Sequence, residues 1–271
     1  SFYLQLLTEA VLRFVLRELG LPATNVIYSG GGHFFLLSPV NAADKLTEIR
    51  RNVTRKLLVH HGTSLYLAMG YVAVPASGFR IGAFPEYWGQ MHRAVSDAKS
   101  RRYTELGEDM YRLVFQPPDL GGNPESTCSV CGEDRRKVSD WDIEREEQNR
   151  ICTLCKSFIE EIGRDLPKSS FLALGFGKIE DDVAGKGSDV LRAFGMQFQL
   201  LKSAKENVDL PGAERITIWS LGDLRDGKFP ETGEIPSSCS LRYTVNEVPP
   251  CNFDELQKKV KGGFERLGVL R

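Results

Sequence analysis

The chain has 271 residues, of which 41% are hydrophobic and 26% charged, and its formal net charge is −1. That length allows about two domains with a sizeable core, and the near-neutral balance excludes wholesale electrostatic attachment to nucleic acid or membrane, leaving local patches for any such contact. No apolar run reaches the roughly eighteen residues that a membrane helix needs, so no segment is expected to cross a bilayer.

The chain opens at Ser1-Phe2-Tyr3-Leu4 without a secretory signal, and both ends read as cut from a longer polypeptide. Leu4, Leu7, Val11, Phe14 with Val15, and Leu19 recur at helical spacing, with Glu9, Arg13 and Arg17 on the other side. Glu9 and Arg13 are expected to form a surface pair four residues apart, and Gly20 and Pro22 end the helix. Next come two short apolar arms around Ser29-Gly30-Gly31-Gly32-His33, the pattern of a β-hairpin whose tip is stripped of side chains. The arms do not alternate, so both faces of each strand should be covered, as in the centre of a packed sheet.

Asn41 can cap a second helix that runs to about His60, with Ala43, Leu46, Ile49, Val53 and Leu57 inward and Gly62 closing it. Leu65 to Val74 reads as a strand, and Pro85 starts a third helix with Trp88, Met91, Val95 and Ala98 as its buried stripe. Met110 to Phe115 reads as a short strand before a Pro- and Gly-rich linker. Helices on one face of a sheet, an α+β arrangement, pack these elements economically.

Cys128-Ser129-Val130-Cys131 and Cys152-Thr153-Leu154-Cys155 form two Cys-x-x-Cys pairs. Four converging thiolates satisfy tetrahedral Zn²⁺ with no open position, so a structural rather than a catalytic metal is expected, although tetrahedral sulfur also suits iron. Such pairs fit a reducing cytoplasm better than a secreted disulfide framework. Asp134 to Arg150 reads as a solvated charged excursion, and Phe158 and Ile162 mark a short helix after the second pair. Strands are expected at Ser170 to Phe176, Gly195 to Leu201, Arg215 to Leu221 and Arg242 to Val245, with a terminal helix from about Phe253, together a second small α+β unit. Glu180-Asp181-Asp182 reads as solvated loop charge, Cys239 and Cys251 as small buried side chains, and His60-His61 as a structural helix end where imidazolium suits the dipole.

Palm-type cyclases and polymerases carry acidic residues at their hairpin tips to hold Mg²⁺. The Gly-Gly-Gly-His tip has none, and His33 cannot replace two aspartates for a cation that prefers oxygen ligands. A hairpin of this kind should bind without catalysing, with the Ser29 hydroxyl and the glycine amides available to a phosphate or base. Lys99, at the end of the third helix, could add a phosphate contact or remain a solvated helix end.

Several pieces together resemble one family. Ser1 to Glu9, the hairpin Tyr28-Ser29-Gly30-Gly31-Gly32-His33-Phe34, the Ala98-Lys99 helix end and the Cys128/Cys131/Cys152/Cys155 quartet resemble the large subunit of type III-A, Csm-type, CRISPR RNA-guided complexes. Arg242-Tyr243 through Leu256, and Leu267 to Arg271, are similar to the lead-in to that subunit's second palm. The resemblance implies a degenerate, GGDEF-like palm at residues 1–118, a zinc module at 119–165 and a connecting α+β unit at 166–271. It also implies ATP and Mg²⁺ as cofactors, other effector subunits and guide RNA as partners, and a nucleotide facing Ser29, Gly30, Gly31, Gly32 and His33, with Lys99 a weaker contact.

The family's nuclease His-Asp pair and its Gly-Gly-Asp-Asp turn, which makes cyclic oligoadenylates, do not occur here. The expected function is therefore a non-catalytic palm that helps a second palm bind ATP. The alternative is a zinc-stabilised RNA-binding or assembly module that tracks phosphates with Lys45, Arg50, Arg51, Arg55 and Lys56.

Overall fold

A computed structural model describes residues 2–115, 127–134, 136–141, 149–177, 179, 185–203, 206–221 and 239–241. Within them lie five α-helices, α1 (Phe2–Leu19), α2 (Ala42–His61), α3 (Phe84–Ser100), α4 (Thr153–Ser157) and α5 (Gly187–Ala193). Three sheets accompany them. The first is a hairpin of β1 (Val26–Gly30) and β2 (His33–Leu36), and the second a hairpin of β3 (Val138–Trp141) and β4 (Asn149–Cys152). The third has the order β6-β5-β7-β8, from β5 (Phe171–Phe176), β6 (Met196–Leu201), β7 (Arg215–Ser220) and β8 (Cys239–Leu241), and is antiparallel except for the β7–β8 pair. The expected α+β class holds in this form. The strand expected at Arg242 to Val245, the terminal helix, Cys251 and the Glu180-Asp181-Asp182 run lie outside the described residues, as do the side-chain surroundings of Cys239.

α1 is the hub. It packs on α2, α5 and β2 and buries eleven residues spread around its circumference, as expected of a helix covered on several sides. The expected Glu9–Arg13 pair forms at 2.8 Å, but it is no surface pair, because Glu9 is only 2% exposed. A single apolar cluster joins α1 and α2 to three of the four paired cysteines and to Leu172, Leu174 and Met196 of the third sheet.

Several expectations are corrected. The β1–β2 hairpin is not central in a sheet. It has no third strand among the described residues, Phe34 and Leu36 lean on the core, and Ile27 and Tyr28 are more than half exposed. Leu65 to Val74 is extended, and Leu65, Leu67 and Met69 face the core at every second position. It is nevertheless no strand, because its backbone forms no ladder with any described residue. Tyr111–Phe115 forms a π-helical turn rather than a strand. Trp88, Met91 and Val95 are half-buried, leaving Ala98 as the buried member of the α3 stripe. Asn41 makes no capping bond to α2, whereas Gly62 closes that helix at φ 57° as expected. The excursion between the cysteine pairs folds back as β3–β4. α5, which lies between two of the expected strands, is secured by Asp189 accepting from the Lys186 amide at 2.8 Å.

His60 and His61 are both buried. The His61 Nε2 meets the Tyr3 hydroxyl at 2.8 Å, and burial, with nearby Arg136 and His60, lowers the His61 pKa to about 4. At His61 the expected imidazolium is therefore absent at neutral pH. A histidine held neutral in the fold contributes stability that is complete above its unfolded pKa of about 6.5 and is lost as pH falls toward 4. That loss is expected to approach about 3 kcal/mol below pH 4 and to be about 2 kcal/mol at pH 5, and urea melts at pH 7 and pH 5 should show the latter in the wild type and much less in His61→Gln.

Candidate functional site

Two constellations carry chemistry. In the first, the four cysteines converge from two chain segments. Cys128 and Cys131 lie on a tight turn closed by the Gly132 amide donating to the Cys128 carbonyl at 2.9 Å, with the Cys128 amide donating to Glu133 at 3.0 Å. Cys152 ends β4, and its sulfur caps the short α4 by accepting from the Cys155 amide. The β3–β4 register sets Cys152 opposite Val138, which brings the second pair back onto the first.

All four sulfurs lie within 4.8 Å of one another, and Cys131 Sγ is 3.8 Å from Cys152 Sγ. Tetrahedral zinc with Zn–S bonds of about 2.3 Å needs sulfurs about 3.8 Å apart, so the quartet fits the ion. The electrostatics agree. Burial pushes the Cys128 thiol up, but backbone N–H groups of Cys152, Cys131 and Val130 outweigh it and bring the pKa down to about 6. Burial, the hydrogen bond with Cys131 and the neighbouring Cys152 push Cys155 up. Four packed thiols cannot all ionise without a cation among them, and a divalent metal supplies it. Three of the four cysteines are buried and Cys131 is exposed, and the quartet could hold a metal ion such as zinc.

The second constellation is the hairpin. Gly31 and Gly32 form its two-residue turn with φ of 58° and 76°, the left-handed pair that glycine adopts without strain. Both are exposed, and a Cβ placed on either would meet nothing within 4 Å. His33 folds back so that Nδ1 lies 2.9 Å from the Gly31 carbonyl. A carbonyl only accepts, so Nδ1 carries the proton and Nε2 is left facing outward.

The predicted contacts do not all share a face. Ser29 pairs with Phe34 and Gly30 with His33, so Ser29 stands on the core-facing side while Gly30 and His33 stand on the other. Lys99 is exposed near the end of α3. Seven and eleven residues beyond His92 and Trp88, it falls on the same helix stripe as those two rings, though among the described residues no hydrogen bond or ion pair ties it to the tip. Phe35 reaches that stripe, 4.6 Å from the Trp88 ring and 6.3 Å from His92.

The basic run on α2 is largely occupied. Arg50 approaches Glu105 at 4.0 Å, Arg51 pairs with Glu48 at 3.3 Å, Arg55 pairs with Asp109, and Lys56 lies 5.9 Å above the Phe14 ring. A depression of about 350 Å³ beside Arg51 and Arg55 includes no residue of the glycine tip. No helix among the described residues is long and apolar enough to cross a membrane.

Residues 1–116 match the family model described as Csm1 subunit domain B. A CRISPR system single-strand-specific deoxyribonuclease Cas10/Csm1 (subtype III-A) from Methanocaldococcus jannaschii is 28% identical over 59% of the chain and 21% of its own length. The protein of the same description from Thermococcus onnurineus is 27% identical over 100% of the chain and 33% of its own length. A solved Csm1-Csm4 cassette in complex with one ATP matches at TM-score 0.54 and 19% identity, over 90% of the chain and 27% of that structure's chain. The chain thus spans a third or less of the length of these relatives.

Proposed function

Because the chain belongs to the Cas10/Csm1 family of type III-A CRISPR proteins, we propose that it is the non-catalytic palm and zinc-bearing part of an effector's large subunit. In this reading residues 1–118 form the palm, 119–165 the zinc module and 166–271 the connecting unit. The palm seats ATP for a partner palm that carries the acidic turn.

The observation that supports the reading most is the exposed, acid-free tip at Gly31 and Gly32. Its amides can approach a phosphate with no Cβ in the way, while the lack of a carboxylate leaves Mg²⁺ to be held elsewhere. Lys99 stands ready as a longer-range cation, and His33 as a further polar contact beside the turn. Zinc, when bound by Cys128, Cys131, Cys152 and Cys155, supplies a fixed cross-link. Other effector subunits and guide RNA are its proposed partners. The alternative of phosphate tracking along α2 is weakened by the internal partners of four of its five basic residues, leaving Lys45 without one among the described residues.

Calorimetric titration of MgATP into the full chain tests this. Saturable binding is expected, and Gly31→Asp should weaken it by about tenfold or more, because a carboxylate is placed where phosphate charge would sit. Aspartate tolerates left-handed φ better than most residues, so the hairpin should persist. Absent binding, or binding indifferent to Gly31→Asp, would sink the seat. Oligoadenylate products would refute the non-catalytic assignment.

A further inference from the structure

The turn accounts for phosphate but not for the rest of a nucleotide, and the outer face of the hairpin supplies what is missing. The β1–β2 register slips between Val26 and Tyr28: Val26 pairs with Leu36, but Tyr28 pairs with Phe35. Ile27 is thereby the extra residue of a bulge, while the register from Tyr28 to the tip is unbroken. Two residues before Gly30 and opposite Phe35, Tyr28 stands with Phe35, Gly30 and His33 on the outer face. There its ring runs along the strand toward the tip, so that a Cβ at Gly30 would lie 2.8 Å from the Tyr28 hydroxyl oxygen and 3.2 Å from the ring carbon bearing it. Glycine at position 30 is what allows the ring to lie there.

Tyr28 is 53% exposed, and its ring is backed rather than loose. Its centroid is 6.0 Å from Phe35, which stands 4.6 Å from Trp88, which in turn is 5.2 Å from His92. An exposed aromatic face, fixed from behind and set beside an acid-free glycine turn, is a stacking platform next to a phosphate seat.

We propose that Tyr28 stacks against the base of the nucleotide whose phosphates lie at the Gly31–Gly32 turn, making it a base-positioning residue of this site. The assignment rests on the nucleotide-seat reading and adds to it that the ligand is held by its base as well as its phosphates. Stacking needs the ring and not the hydroxyl, so phenylalanine should serve in its place.

The test compares MgATP with magnesium tripolyphosphate, which has the phosphates and no base, in calorimetric titrations of the full chain. Tyr28→Ala is expected to weaken MgATP by about tenfold or more and to leave tripolyphosphate unchanged, while Tyr28→Phe keeps both within about twofold. MgATP affinity unmoved by Tyr28→Ala would overturn the stacking role and leave the phosphate seat standing. Equal loss of both ligands in Tyr28→Ala would also overturn it, since the ring would then act on the turn and not on the base. Failure of the wild-type chain to bind either ligand would sink the seat and the stacking role together.

Discussion

Cys152→Ala is expected to purify without stoichiometric zinc and without a cooperatively folded core. Cys152 is 0% and Cys128 1% exposed, and both lie in the same apolar cluster as Phe2, Tyr3, Leu6 and Leu7 of α1. Structural zinc contributes roughly 10–16 kcal/mol in small zinc modules, as much as or more than the roughly 5–15 kcal/mol by which a whole domain is stable. Loss of one thiolate therefore outweighs what remains. The damage should not stop at the cysteine turns, because α1 packs against residues beside them and also against α2 and α5. Metal analysis, circular dichroism and amide exchange along α1 check this. A metal-free chain that melts at the wild-type temperature would contradict it. Chelation of the wild type should reproduce the loss, and a return of structure on adding Zn²⁺ should accompany it.

Glu105→Ala is expected to cost about 2–3 kcal/mol, from the loss of partners to a buried carboxylate. The Glu105 side chain is 3% exposed. It accepts from the Thr54 hydroxyl at 2.5 Å and from the Tyr66 hydroxyl at 3.4 Å, with Arg50 at 4.0 Å. Its carbonyl also accepts from Arg51 Nε at 3.0 Å, a bond that the substitution leaves in place. One residue thus joins α2, the extended segment and the turn after α3. Removing the carboxylate strands Thr54 and Tyr66, whereas Arg50, still 26% exposed, can turn toward water, which sets the estimate below that for a fully enclosed pair. Glu105→Gln keeps the shape and an acceptor and should lose less. Urea denaturation at neutral pH with both variants reads the difference, and a wild-type midpoint for Glu105→Ala would refute the network's role.

Much of this was legible in the residues. The 3.6-residue spacing of α1, the Pro85 start of α3 and the β-rich runs at β5, β6 and β7 need no partner to be seen. The cysteine spacing announces its own convergence. What was not legible depends on neighbours. Glu9 looks like a solvent-facing charge until the fold buries it. Leu65 to Val74 has the composition and alternation of a strand, but strandhood requires a ladder and composition cannot supply one. Tyr111–Phe115 is just as apolar, yet it follows directly on a turn and winds on as a helix. At the hairpin, the apolar letters of β1 do not show that Tyr28 stands exposed on the outer face; that follows from its pairing with Phe35, and nothing in those letters marks the bulge at Ile27.

The extended run from Leu65 to Val74 has a consequence of its own. Met69 and its two inward neighbours hold it against the body of the protein, while its amides and carbonyls meet no backbone counterpart among the described residues. Peptide groups in that state are poorly provided for, since water reaches a half-covered backbone from one side only. A strand laid alongside would satisfy a whole row of them at once. Among the described residues, this flank is therefore one where an added strand would gain a row of backbone hydrogen bonds.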